Sequence, residues 1–273
     1  MAKAINFIRK DLVKIEEKVS QLFQEIYHIY YQYIELLSRS VRRQLMVACY
    51  QICTQIYPES FLNLSFDERY KLQENLKQLS REIESQLFSY LASAVNSSNE
   101  ETLEIEGIFL QQEAELEPAI QEASNLLNLR KITNPEELIE WCNSLEKGIQ
   151  KTLERLSREA NHQLQQAGIL PARLPNKIIE MALEAEESGT ANSQLPNLLD
   201  LTIETETKQG SSANRGGEKA MRITTIRLRL TEIEFADPSL NVVRKQIRDL
   251  SGTIKKIRQQ YHQVEKEIGR AHV

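Results

Sequence analysis

Residues 238–268 read PSLNVVRKQIRDLSGTIKKIRQQYHQVEKEI, and this stretch decides the fold. Leu240, Ile247, Ile254, Tyr261 and Ile268 recur every seventh residue, and Val243, Leu250, Ile257 and Val264 fall three places after them. A heptad with apolar residues at those two positions is a long helix that buries one seam against a partner. The opposite end of the chain repeats the pattern. Ile5, Leu12, Val19, Ile26 and Tyr33 form one line, and Ile8, Ile15, Leu22, Ile29 and Leu36 form the other. The expectation is an all-α protein, an elongated helical bundle whose long terminal helices form coiled-coil-like seams. A seam of about 30 residues would run about 45 Å at 1.5 Å per residue.

Composition agrees. Gly (9) and Pro (7) are scarce in 273 residues, and 41% of the chain is apolar, enough for a core. Lys and Arg total 34 against 39 Asp and Glu, for a net charge of −5. That balance disfavours a general binder of nucleic acid or anionic membrane. The longest apolar run, Leu45–Tyr50, is far short of the roughly 18–20 residues that cross a bilayer. Lys and Glu punctuate the apolar periodicity of the first residues, which reads as an amphipathic helix rather than a signal peptide. Cys49, Cys53 and Cys142 are too few for a disulfide framework, so a reducing cytoplasm is expected.

Local signals divide the chain. The first helix should run from Ala4 to Tyr57, where Pro58 stops it, with a change of register near Ser38–Ser40. Beyond that change the apolar stripe becomes Leu37, Val41, Leu45, Cys49, Ile52 and Ile56. Tyr27, Tyr30, Tyr31 and Tyr33 are spread around the helix and imply burial on more than one side. Ser65 and Glu68 form a capping box that opens a second helix along Leu72, Leu76, Leu79, Ile83, Leu87, Leu91 and Val95. A third helix is expected from Glu100 to Leu129, broken or kinked near Pro118. Asn134-Pro135 starts a fourth, with Leu138, Cys142, Leu145, Ile149, Leu153, Leu156, Ala160 and Leu164 as its stripe and Gly168 as its stop. A short helix should span Pro175–Ser188. Thr205–Lys219 lacks large apolar residues and reads as a flexible linker. Ala220–Phe235 alternates like a strand at IRLRL, but Ile223, Ile226, Leu230 and Ile233 fit a helix better, and helix is the expectation. The domain plan is thus a helical bundle over 1–204, a linker over 205–219, and a helical segment over 220–273 packing back on the first helix.

Charge is segregated. Residues 100–129 hold eight Glu and no Lys or Arg, whereas residues 238–273 hold eight Lys or Arg against three acids. The bland reading is solvated faces. The sharper one pairs the acidic third helix with the basic last helix. On the last helix Arg244, Lys245, Arg248, Lys255, Lys256 and Arg258 occupy non-seam positions and form the candidate interaction surface.

No catalytic motif, phosphate loop or zinc-type Cys pattern is present, and no catalytic, cofactor or metal residue is assigned. Two Glu-x-x-His motifs, Glu25/His28 and Glu159/His162, would with two more Glu make the ligand set of ferritin-like di-iron proteins. If Ile26 and Ile29 form the seam, however, Glu25 only flanks it and His28 points outward. Cys49 and Cys53 lie four apart on one face and are read as buried apolar residues rather than half a metal site. Trp141 shares a face with Leu138 and is read as a packing residue.

Two segments, LPNKIIEMALEAEE at 174–187 and RLTEIEFADPS at 229–239, resemble segments of uncharacterised helical proteins of cyanobacteria. The resemblance implies a cytoplasmic protein of photosynthetic bacteria and assigns no functional residue. The leading functional expectation is a non-enzymatic interaction or scaffold protein, binding a protein partner or itself through helices, with no cofactor and no evident small-molecule substrate. The alternatives are a peripheral binder of anionic membrane or nucleic acid through the basic last helix, and a di-iron protein.

Overall fold

A computed structural model describes residues 2–96, 132–171, 195–205 and 219–271. The elements in chain order are α1 (Ala2–Gln51), a π-helical turn (Ile52–Ile56), α2 (Pro58–Leu62), α3 (Phe66–Asn96), α4 (Pro135–Gln166), β1 (Leu198–Thr205), β2 (Lys219–Ile226), α5 (Leu230–Ala236) and α6 (Pro238–Ala271). The protein is all-α in class, and its described residues include a two-stranded antiparallel hairpin. No helix among the described residues is long and apolar enough to cross a membrane. The helices expected over Glu100–Leu129 and Pro175–Ser188 lie outside the described residues. So does the acidic partner proposed for the last helix.

The helix boundaries follow their local chemistry. The Ser65 N–H donates to the Glu68 carboxylate at 2.8 Å, and the Glu68 N–H donates back to the Ser65 hydroxyl at 3.3 Å. Asn134 accepts from the Glu136 N–H at 2.8 Å, with Pro135 at the first helical position. α4 ends where Gly168 takes φ +75°; the Ile169 N–H then reaches the Leu164 carbonyl at 3.0 Å. α1 widens into a π turn before Pro58, with the Tyr57 N–H donating to the Ile52 carbonyl.

The seam of α1 departs from the expected heptad. Its buried line runs Ile15, Val19, Phe23, Ile26, Tyr30, Ile34, Leu37, Val41, Leu45, Ala48 and Ile52, whereas Leu22, Ile29 and Leu36 are only half-buried. Ile15, Ile26, Leu37 and Ala48 are eleven apart, as are Val19, Tyr30, Val41 and Ile52. Eleven residues over three turns is 3.67 per turn, close to a straight helix, whereas a strict heptad drifts about 20° per repeat. The register change near Ser38–Ser40 is that drift, and both serines are buried there. α4 keeps the same spacing: Leu138, Ile149 and Ala160 form one line and Cys142, Leu153 and Leu164 another, all buried. On α6 the heptad stands at Leu240, Val243, Ile247 and Ile254, while Leu250, Ile257, Tyr261, Val264 and Ile268 are half-buried.

The chain divides into two compact units. The first comprises residues 1–36, 84–149 and 238–273. At its centre Trp141 meets Phe23 edge-on at 5.3 Å, Tyr30 edge-on at 5.6 Å and Tyr27 stacked at 6.1 Å. Tyr31 meets Phe88 at 5.0 Å, so the tyrosines are indeed engaged on more than one side of α1.

The second unit comprises residues 37–83 and 150–237. It contains the clearest departure from expectation. Ala220–Phe235 is not one helix: β2 ends at Ile226 and α5 begins at Leu230. The alternating IRLRL, residues 226–230, did not mark the strand either: only Ile226 belongs to β2, and residues 227–229 connect it to α5. Leu198, Leu199, Leu201, Ile223 and Ile226 are buried, and the hairpin holds register from Leu198↔Ile226 to Thr205↔Lys219. Residues 206–218, within the span expected as a linker, join the two strands. The outer edge of β2 is closed by side chains. The Asn161 amide donates to the Ile226 carbonyl and accepts from its N–H, both at 2.8 Å. The Tyr57 hydroxyl accepts from the Thr224 N–H at 3.0 Å, and Ser157 accepts from the Leu228 N–H at 2.9 Å. An edge strand offers unpaired backbone groups; Asn161 and Tyr57 occupy those of Ile226 and Thr224, and Ser157 holds Leu228 just beyond the strand. Asn197, at φ 58°, enters β1 and turns its carboxamide oxygen to the Arg229 N–H.

Candidate docking surfaces

The six basic residues of α6 that form the candidate surface fall into two groups. Arg244 is largely enclosed. Its guanidinium forks onto the Glu146 carboxylate, sits 5.4 Å from the Tyr33 ring centroid, and shares Glu146 with the Tyr30 hydroxyl, which donates at 2.8 Å. Burial, followed by the Glu146 charge, raises the Tyr30 phenol far above its ordinary value. Arg258 reaches Glu136 at 2.5 Å, and His262 Nε2 lies 2.8 Å from the same carboxylate. The Arg258 hydrogen bond is the largest influence holding the Glu136 carboxyl below its ordinary value. Both contacts fasten α6 to α4. Lys245, Arg248, Lys255 and Lys256 are exposed. The stripe is therefore part internal fastening and part surface, and Glu136 and Glu146 of α4 account for the fastened part.

Both histidines of the Glu-x-x-His motifs lie on exposed helix faces. His28 is exposed, with its ring 3.0 Å from the Gln32 amide; His162 is exposed, 2.8 Å from the Gln166 amide. Glu159 accepts from Gln163 at 2.9 Å. Among the described residues no three His, Cys, Asp or Glu side chains are grouped so as to hold an ion. Cys49, Cys53 and Cys142 are buried free thiols. Burial pushes Cys53 up to about 11 and Cys142 up to about 12, and raises Cys49 further. Such thiols stay protonated and poorly nucleophilic.

A polar cleft of about 390 Å³ opens beside the hairpin, lined by Tyr57, Asp200, Arg222 and Thr224 among others. Partial burial would raise the Asp200 carboxyl. The Thr224 hydroxyl at 2.5 Å and the Arg222 guanidinium at 2.7 Å outweigh it and hold the carboxyl low. Its polar groups are matched to one another.

A second concavity, about 480 Å³, lies between the end of α1, α2 and the start of α3. Its floor is Cys49, Cys53, Leu72 and Leu76, all buried. Its walls are Met46 and Tyr50 on α1, Thr54 on the π-helical turn, and Phe61, Phe66, Arg69, Tyr70 and Gln73 on the other side. Three wall residues are large and open to solvent: Tyr50 is 64% exposed, Tyr70 58% and Phe66 78%. Leu62 and Val47 are exposed as well. Among the described lining residues Arg69 is the one cation; its guanidinium lies 5.7 Å from the Phe61 ring centroid, and its Nε donates to the Leu64 carbonyl at 3.0 Å. An apolar concavity flanked by exposed aromatic side chains is the candidate docking surface of the described residues.

Reading the sequence for seams passed over this groove. Its residues do carry a signal: Phe61, Leu62, Leu64 and Phe66 crowd around a Pro-led turn, and Tyr70 continues the line off the Leu72–Leu76–Leu79 stripe. Large apolar residues outside the buried stripe were the clue. No family model matches the chain, and comparison with curated proteins and with solved structures likewise finds no match.

Proposed function

We propose that this is a non-enzymatic interaction protein that docks a helix of a protein partner in the groove between α1 and α3. The observation that carries this reading is the exposure of Tyr50, Phe66 and Tyr70 around an apolar floor. Aromatic side chains flanking a groove between helices suit the apolar face of an amphipathic helix. The setting proposed is the cytoplasm, as an adaptor or scaffold. Affinity capture from native cells should compare the wild type, the double variant Phe66→Ser/Tyr70→Ser, and Lys71→Ser as a control on the neighbouring face of α3. A protein retained by the wild type and the control but lost with the double variant is the expected result. The same set of proteins in all three samples would refute the reading.

The four exposed cations Lys245, Arg248, Lys255 and Lys256 favour a second reading, peripheral binding to an anionic surface through α6. Phosphatidylserine vesicles and duplex DNA are the probes. Co-sedimentation that weakens steeply between 50 and 200 mM salt, and disappears when the four are changed to Gln, is the signature. Absence of salt-dependent binding to either rules this reading out.

A further inference from the structure

We propose that the floor of the groove binds a soft monovalent metal ion, Cu(I), between the sulfurs of Cys49 and Cys53, with the Met46 thioether at its mouth. The site does not depend on what docks in the groove.

The donors share one face of one helix. Met46, Cys49 and Cys53 stand at i, i+3 and i+7, and all three line the same concavity. Residues four apart on a helix have Cβ atoms about 5–6 Å apart. A metal bonded to sulfur on both sides spans about 4.6 Å, twice a metal–thiolate bond of about 2.3 Å. Rotation about the two Cα–Cβ bonds covers the difference. Cys53 sits where α1 gives way to the π-helical turn Ile52–Ile56, and widened turns of this kind are frequent at functional sites. Both sulfurs are free thiols, 4% and 7% exposed, so the ion is shielded from water while the concavity gives it a way in.

The lining selects the metal. The described lining residues include no Asp, Glu or His. Calcium and magnesium require oxygen ligands, and a structural zinc site requires four donors. Among the described residues no third His, Cys, Asp or Glu joins the two thiols. Thiolate and thioether are soft donors, the kind that suits Cu(I). Binding exchanges each S–H proton for a bond to the ion. Cu(I) and two thiols give a singly negative dithiolate complex and two protons released to solvent, with no electron transferred. Arg69, held in the lining by the Leu64 carbonyl and the Phe61 ring, is matched in sign to that complex. Tyr50, Phe66 and Tyr70 add an apolar surround that limits solvent access. Met46 is half-buried on the wall and has no proton to lose, so it offers the ion its first sulfur on entry.

The test titrates the full chain, reduced and under anaerobic conditions, with Cu(I) held by a coloured bidentate chelator. Absorbance reads the ion taken from the chelator, and a single ion per chain is expected. Cys49→Ala and Cys53→Ala should each weaken binding at least about 100-fold, the most that loss of a merely supporting group costs a metal site. Cys49→Ser and Cys53→Ser, which keep the size but supply a hard oxygen, should fail in the same way. Cys142→Ala, which removes a buried thiol outside the groove, should bind as the wild type does. Met46→Leu, close in volume but without sulfur, should slow uptake and leave the end point in place. Melting temperatures confirm that each variant is folded. X-ray absorption at the copper edge should show sulfur ligands alone, and excess Zn(II) should not displace the ion. No ion taken from the chelator, binding that survives Cys49→Ala/Cys53→Ala, or displacement by Zn(II) would overturn the site. Uptake as fast in Met46→Leu as in the wild type would remove Met46 from it.

Discussion

At the scale of single residues, the packed faces leave little room. Gly148 sits inside α4, where alanine would ordinarily gain about 1 kcal/mol in helix propensity. Here an added Cβ would meet the base of the Tyr90 ring at 2.7 Å. Overpacking of that kind costs about 1–3 kcal/mol, so Gly148→Ala should lower the melting temperature rather than raise it. A higher melting temperature would show that Tyr90 yields. Asn161 is a second such residue. It satisfies both backbone groups of Ile226, and Asn161→Ala strands them at about 1–3 kcal/mol each. Chemical denaturation of that variant should show a loss of more than about 1 kcal/mol; no change would mean that water takes over the edge. Neither role was legible from the sequence. A glycine's neighbour and an asparagine's target are set by elements far away in the chain.

At the scale of elements, what could be read was what depends on neighbours in sequence. The Ser65–Glu68 box, Asn134-Pro135 and Gly168 each act within a few residues, and each stands as expected. The stripe of α4 stands for the same reason. The hairpin was misjudged because Ile223, Ile226, Leu230 and Ile233 span a strand end and a helix start. Their helical spacing arose across a boundary, while pairing with Leu198–Thr205 decided the conformation. α6 permits a graded test. Ile254 is buried and Ile257 half-buried. Losing a buried Ile costs roughly 2–5 kcal/mol, and a charge at such a site costs at least as much. Thermal melts should therefore place Ile254→Asp well below Ile257→Asp. Equal effects would mean that the heptad is packed along its whole length.

At the scale of the whole molecule, the buried thiols and phenols give stability a one-sided dependence on pH. Tyr27, Tyr30 and Tyr57 are raised by burial, as are the three cysteines. A raised value in the folded state means that stability is fully present below the unfolded values, about 8.5 for Cys and 10 for Tyr, and is lost as pH rises beyond them. The melting temperature should fall between pH 8 and pH 10.5; a flat profile would mean that these groups reach solvent when folded. The groove itself is a feature of the assembled chain, since its floor comes from the buried stripes and its walls from residues those stripes exclude. Its use is tested most directly by photo-crosslinking in living cells, with benzophenone-alanine placed at residue 70 or, as the control, at residue 71. A discrete heavier adduct from position 70 and none from position 71 is the predicted result. Adducts from neither position, or equally from both, would contradict a docking groove between α1 and α3.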